Sequence, residues 1–91
     1  MTPRNNPYSF TKVFKERFEE RLNEAFTEDN QAYILAQISL GTPHRKIDNK
    51  GRYSEYFTFI INEKLVTIVC DQISHKIITL ILELHERKQY L

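Results

Sequence analysis

The sequence has few of the residues that build disulfides, metal sites or phosphate-binding loops. Its 91 residues include one cysteine, two glycines, three prolines and no tryptophan. Cys70 forms no internal disulfide, and no cysteine or histidine stands near it at the spacing of a zinc site. Gly41 and Gly51 are too few for a glycine-rich phosphate loop, which argues against nucleotide hydrolysis. We therefore expect no cofactor and no structural metal.

Long apolar runs and an excess of one charge are absent as well. The apolar run at 77–82 is interrupted by Thr79 and is far shorter than the roughly 20 residues that cross a bilayer. Residues 1–7 are polar and lack the apolar segment of a secretory signal, which predicts a cytoplasmic protein. A formal net charge of +1 excludes a uniformly basic protein that coats DNA. We expect neither a membrane nor DNA as a partner of the chain alone.

The first half of the chain has the pattern of two helices. A chain of this length holds one core, so we expect a flexible segment at 1–7 and a single domain at 8–91. A second helix is predicted to begin at Thr27 or Asp29 and to end at Leu40, before Gly41. For the first helix, Ser9 is the expected cap, and apolar residues recur every four positions at Phe10, Phe14, Phe18, Leu22 and Phe26.

After Gly41 the pattern becomes that of strands. Three strands are predicted at 53–61, 65–71 and 77–84, with a possible edge strand at 44–48. Short connections join them, which predicts an antiparallel meander. The fold class is therefore α+β, with two N-terminal helices packed on one face of a three- to four-stranded antiparallel sheet.

Alternation along these strands predicts which side chains face the core. Cys70 alternates with Val66 and Ile68, so we interpret it as a small buried apolar residue. On the last strand, the predicted core face consists of Ile78, Leu80, Leu82 and Leu84. The opposite, open face then consists of Ile77, Thr79, Ile81 and Glu83. An open sheet face without a covering helix is the expected binding surface.

Cationic and aromatic residues are concentrated in one short stretch. Residues 42–53 hold four cationic residues, Arg45, Lys46, Lys50 and Arg52, against one acidic residue, Asp48. His44 precedes this stretch of cations, and Tyr53 and Tyr56 follow it. Phosphates accept hydrogen bonds from arginine and lysine, and unpaired bases stack on tyrosine, so RNA fits the pattern. An edge hairpin kept soluble by its charges fits it equally well.

The order of these features resembles RelE- and BrnT-type toxins and their colicin-like relatives. The residues that carry the resemblance are "FKERFEERL", a second helix that ends at glycine, "HRKIDNKGRYSEYF" and "LVTIVCDQISHKIITLI". Together they span Phe10 to Leu84, nearly the whole chain. The last of these stretches, in which a short turn separates Asp71 from Ile77, Ile78 and Thr79, resembles the final hairpin of that superfamily.

The resemblance implies a metal-independent endoribonuclease toxin that cleaves mRNA or tRNA by attack of a 2′-hydroxyl on the adjacent phosphate. It implies RNA as substrate and an antitoxin protein as partner. Such chemistry needs proton exchange and fixed positive charge. The catalytic candidates are His44, Arg52, Tyr56 and Thr79. The RNA-binding candidates are Arg21, Arg45, Lys46, Lys50 and Tyr53.

Two alternatives stay open at this point. The first alternative is a non-catalytic binding module, such as a phage-type inhibitor or an immunity-type protein, that docks through its open sheet face. The second, which the resemblance implies, is inhibition of a gyrase-like target, as some relatives of RelE do. Catalysis predicts one cleft that gathers His44, Arg45, Arg52, Tyr56 and Thr79, whereas docking predicts that they are dispersed.

Overall fold

A computed structural model describes residues 7–47 and 49–83 as two helices on a five-stranded sheet. The strand order is β1-β5-β4-β3-β2; β2 to β5 are antiparallel neighbours, and β1 lies parallel to β5. The α+β class is confirmed, although the sheet is mixed and has one strand more than predicted. The elements are β1 (Ser9–Phe10), α1 (Lys12–Leu22), α2 (Glu28–Leu40), β2 (His44–Ile47), β3 (Tyr53–Ile61), β4 (Lys64–Asp71) and β5 (Lys76–Leu82).

Several sequence predictions lie outside the described residues. These are the flexible segment at 1–7, apart from Pro7, and the strand ends at Asp48 and Leu84. Among the described residues, neither helix has the length and apolar character that crossing a bilayer requires.

The start of α1 differs from the prediction. Ser9 is not the cap but pairs with Lys76 in β1, and Thr11 caps the helix by accepting a hydrogen bond from the Phe14 amide at 3.0 Å. The Thr11 hydroxyl also donates to the Ile77 carbonyl at 3.0 Å, which ties the cap to β5. A two-residue strand is too short to show alternation in the sequence. Because Phe10 also lies at helical spacing from Phe14, the pattern assigned Phe10 to the helix and not to a strand.

The end of α1 also lies earlier than the apolar period indicates. Asn23 adopts a left-handed conformation (φ 57°) and ends the helix after Leu22. Phe26 nevertheless contacts the same cluster from the connecting segment, with ring centroids 4.9 Å from both Phe10 and Phe18. The four-residue spacing of Phe26 therefore indicates that it shares the core of α1, although it does not belong to that helix.

The second helix begins and ends where predicted. Thr27 is its cap and accepts a hydrogen bond from the Asn30 amide at 3.2 Å, so Asp29 lies inside the first turn. The helix ends at Leu40, and Ile34 and Ile38 point into the core. Both helices thus contribute buried side chains to one core with the sheet.

A β-bulge changes the facing of β5 at its start. Val69 pairs with Thr79 but Cys70 pairs with Ile77, which leaves Ile78 as an extra residue on β5. Ile77 is therefore fully buried and Ile78 is exposed, the reverse of the predicted faces. After the bulge the prediction is correct, since Leu80 lies in the core. Alternation alone gives no sign of a bulge in an aliphatic strand.

Candidate functional site

Three of the predicted catalytic residues lie in a single row across the sheet. The strand register pairs His44 with Tyr56, Tyr56 with Val69, and Val69 with Thr79. Phe57 and Ile68, their chain neighbours, are buried in the core, so this row occupies the face away from the helices. With strands about 4.8 Å apart, His44 and Thr79 are separated by about 14 Å. They share a face, but they do not contact the same phosphate.

Arg52 and Tyr56 line one groove on this face. We call it the open-face groove; its volume is about 520 Å³. The β4–β5 hairpin contributes two charged residues to it, the cation Lys76 and the anion Asp71. Arg52 and Lys76 against one carboxylate leave the groove with a net positive charge. Its lining consists of Thr11, Arg52, Ser54, Tyr56, Val69, Asp71, Ser74, Lys76 and Ile78.

The carboxylate in this groove shapes the hairpin turn. The Ser74 amide donates to Asp71 Oδ2 at 2.6 Å, and the His75 amide donates to the Asp71 carbonyl at 2.9 Å. The hydrogen bonds from Ser74 lower the pKa of Asp71, because they favour its charged form. Asp71 is therefore a fixed negative charge that orders the turn carrying Lys76.

Tyr56 lies between the open-face groove and the cations of β2. Lys46 Nζ is 5.6 Å from the centroid of the Tyr56 ring, at the range of a cation–π contact. His44 is exposed and is the direct cross-strand neighbour of Tyr56. An imidazole, an ammonium group and a phenol are thus adjacent on an accessible surface, beside a groove with two further cations.

Arg45 is directed to the other face of the sheet. Its Nε lies 3.1 Å from Glu55 Oε2, and the Glu55 side chain is only 6% exposed. The Tyr8 hydroxyl donates to Glu55 Oε1 at 2.6 Å. Burial and this hydrogen bond raise the pKa of Tyr8, so its hydroxyl remains a donor. Successive residues of a strand face opposite ways, which separates Arg45 from His44.

Tyr53 also faces the helix side, where it lines a second groove of about 440 Å³. We call this the edge groove because β2 is the outer strand of the sheet there. Its lining consists of Arg45, Lys46, Ile47, Tyr53 and Gln72.

The two remaining RNA-binding candidates lie apart from the open-face groove. Arg21 belongs to α1 and donates from Nη1 to the Leu80 carbonyl of β5 at 2.5 Å. Lys50 is exposed in the turn between β2 and β3. Neither lines a groove described above.

Sequence reasoning missed Lys76, which lines the open-face groove opposite the cationic stretch of residues 42–53. It was passed over because the last strand was expected to begin at Ile77. The antiparallel hairpin that places β5 beside β4 was the signal that could have identified it.

Cys70 is buried, as its alternation predicted. Burial, together with the negative charge of Glu55, raises the pKa of the Cys70 thiol to about 12. The thiol is therefore protonated near neutral pH and is not a nucleophile.

A polar ladder occupies the next row of the open face. The hydroxyl oxygens of Thr58 and Thr67 are 2.9 Å apart, and Thr67 donates to Glu83 Oε2 at 2.5 Å. Since the proton of Thr67 is used by Glu83, Thr58 donates to Thr67. These side chains satisfy one another and leave the groove residues as the site candidates.

Comparison of this chain with family models, curated proteins and solved structures finds no match. Within 7–47 and 49–83, no group of three or more histidine, cysteine, aspartate or glutamate side chains is placed to hold a metal ion. The two grooves and the side chains around them are therefore the candidate functional surfaces of the described residues.

Proposed function

We propose that this chain is a metal-independent endoribonuclease toxin of the RelE/BrnT type, acting on mRNA or tRNA in the cytoplasm. The observation that carries the proposal is the open-face groove, whose lining includes Arg52, Lys76 and Tyr56. His44 adjoins Tyr56 across β2 and β3. After the short strand β1, two helices and then a strand meander follow in the order that the resemblance to these toxins implies.

The groove suits a segment of unpaired RNA. Arginine and lysine bind phosphate oxygens, with arginine able to donate in a bidentate manner. The half-buried ring of Tyr56 offers a surface on which a base can stack. Unpaired RNA exposes both groups at once, and its 2′-hydroxyl supplies the nucleophile that DNA lacks.

In the proposed reaction the 2′-oxygen bonds to phosphorus and the bond from phosphorus to the 5′-oxygen breaks. His44 acts as the general base and takes the proton of the 2′-hydroxyl. A water molecule gives a proton to the departing 5′-oxygen, and Lys76 adds positive charge to the groove that holds the RNA backbone. Arg52 stabilises the additional negative charge on the phosphate oxygens in the transition state. The products are a 2′,3′-cyclic phosphate and a 5′-hydroxyl end.

This assignment leaves the catalytic candidate Thr79 out of the reaction, because Thr79 is two strands away from Tyr56, a separation of about 10 Å. It also leaves the RNA-binding candidate Arg45 out of the open-face groove, because Arg45 lies on the opposite face, where it pairs with Glu55. Lys76 joins the cations of the groove instead. An antitoxin that covers the open-face groove is the partner that this function implies.

Expression in bacterial cells tests the proposal. We expect the wild-type chain to stop growth and to fragment cellular RNA, and His44→Ala to restore growth because it removes the proton acceptor. His75→Asn is the matched control: it removes the histidine of the β4–β5 turn, and asparagine tolerates the left-handed backbone there (φ 62°).

The outcomes separate the candidate functions, provided that immunoblots show equal amounts of each soluble variant. Normal growth and intact RNA with the wild-type chain would contradict the nuclease and favour a protein-binding module. Arrested growth with intact RNA would point to a gyrase-like target. Arrest that persists with His44→Ala would remove His44 from the reaction.

A further inference from the structure

The edge groove combines an aromatic ring with a cation and an amide. Tyr53 is 45% exposed, and the groove that it lines also includes Arg45 and Gln72. A ring on which a base stacks, a guanidinium that binds phosphate and an amide that hydrogen-bonds a base edge are the groups that hold unpaired nucleotides.

Arg45, one of the two cations of this groove, is held in position. Glu55 is buried and accepts hydrogen bonds from the Tyr8 hydroxyl at 2.6 Å and from Arg45 Nε at 3.1 Å. The Arg45 side chain itself is 64% exposed. A charged group that is oriented by a buried carboxylate loses less conformational entropy when it binds a ligand.

The two grooves lie back to back at the turn end of the sheet. Arg52 and Tyr53 are consecutive residues, and they line the open-face groove and the edge groove respectively. Asp71 and Gln72 are divided between the two grooves in the same way. The backbone amide of Gln72 donates to the Tyr53 carbonyl at 2.9 Å, which joins the start of β3 to the end of β4 at this point. An RNA strand that leaves one groove therefore reaches the other by passing over this end of the sheet.

We infer that the edge groove is a second nucleotide subsite, which binds the nucleotide next to the cleaved linkage as the RNA strand crosses the turn end of the sheet. This inference rests on the proposed function. In it, Tyr53 stacks on the base and Arg45 binds the phosphate of that nucleotide. The substrate is then an extended, unpaired RNA segment, because a duplex cannot bend around the sheet edge.

Oligoribonucleotides of increasing length test the inference. The purified chain is given a dinucleotide and oligomers extended by one nucleotide on either the 5′ or the 3′ side, and kcat/KM is measured. For the wild-type chain, we expect extension on one side to raise kcat/KM by about tenfold, the effect of one stacked base. Tyr53→Leu should lose this gain.

Two further variants control the experiment. Tyr53→Phe keeps the ring and should keep the gain from extension. Tyr33→Leu alters an exposed tyrosine on α2, away from both grooves, and should also keep it. A circular dichroism spectrum equal to that of the wild-type chain shows that Tyr53→Leu is folded.

The inference and the proposed function fail in different ways. Cleavage by the wild-type chain with no gain from extension, or an equal gain in Tyr53→Leu, would overturn the second subsite alone. A loss of dinucleotide cleavage in folded Tyr53→Leu would also overturn it, by assigning Tyr53 to the reaction. No cleavage of any oligomer by the wild-type chain would overturn the nuclease on which the inference rests.

Discussion

Arg52→Ala is expected to lower kcat/KM for RNA cleavage by about 100- to 1,000-fold, the usual effect of removing one donor that stabilises transition-state charge. Arg52 and Lys76 are the cationic side chains of the open-face groove. The alanine variant leaves one of these two charges to face Asp71. Initial rates on a labelled single-stranded oligoribonucleotide measure the effect.

Two variants make the Arg52 result specific. Arg52→Lys keeps the charge but loses bidentate donation, so we expect an intermediate rate. Arg17→Ala removes an arginine of the same type from α1, where it pairs with Glu20 at 3.6 Å, and should leave cleavage unchanged. Wild-type activity in Arg52→Ala, or an equal loss in Arg17→Ala, would remove Arg52 from the proposed site.

Phe18→Ala is expected to lower the free energy of unfolding by about 3–5 kcal/mol. Phe18 is fully buried, and its ring centroid lies 4.9 Å from that of Phe26 and 6.3 Å from that of Phe14. Truncation leaves a cavity where three rings meet. Because small domains have only about 5–15 kcal/mol of stability in total, the variant should be near the limit of folding.

Urea unfolding followed by circular dichroism measures this loss. Val13→Ala is the control, since Val13 lies on the exposed side of α1. We expect it to change the free energy of unfolding by about 0.5 kcal/mol or less. A loss under about 1 kcal/mol for Phe18→Ala would show that the phenylalanine cluster is not the centre of the core.

Most of the fold could be predicted where a pattern extends over enough residues. The strand predicted at 53–61 has the observed bounds of β3, and α2 has its predicted cap at Thr27 and its end at Leu40. The parallel strand β1 and the bulge beside Ile78 were not predictable, because each involves one or two residues and depends on contacts distant in sequence.

The site was predictable only in part, for a related reason. The cationic stretch pointed to His44, Arg52 and Tyr56, which lie on or beside one face. It also grouped Arg45 with them, because closeness in sequence does not show that successive side chains of a strand point to opposite faces. Lys76 comes from another hairpin, so its place in the groove depends on strand pairing and not on local composition.

The account depends most on the claim that the 2′-hydroxyl of RNA is the nucleophile. The direct measurement uses the purified chain in EDTA on a single-stranded oligoribonucleotide, beside a copy with one 2′-deoxy nucleotide immediately 5′ to the mapped cleavage position. We predict 2′,3′-cyclic phosphate and 5′-hydroxyl ends from the first oligomer and no cleavage at the substituted position of the second. Cleavage at the deoxy position, or no cleavage of either oligomer, would contradict the account.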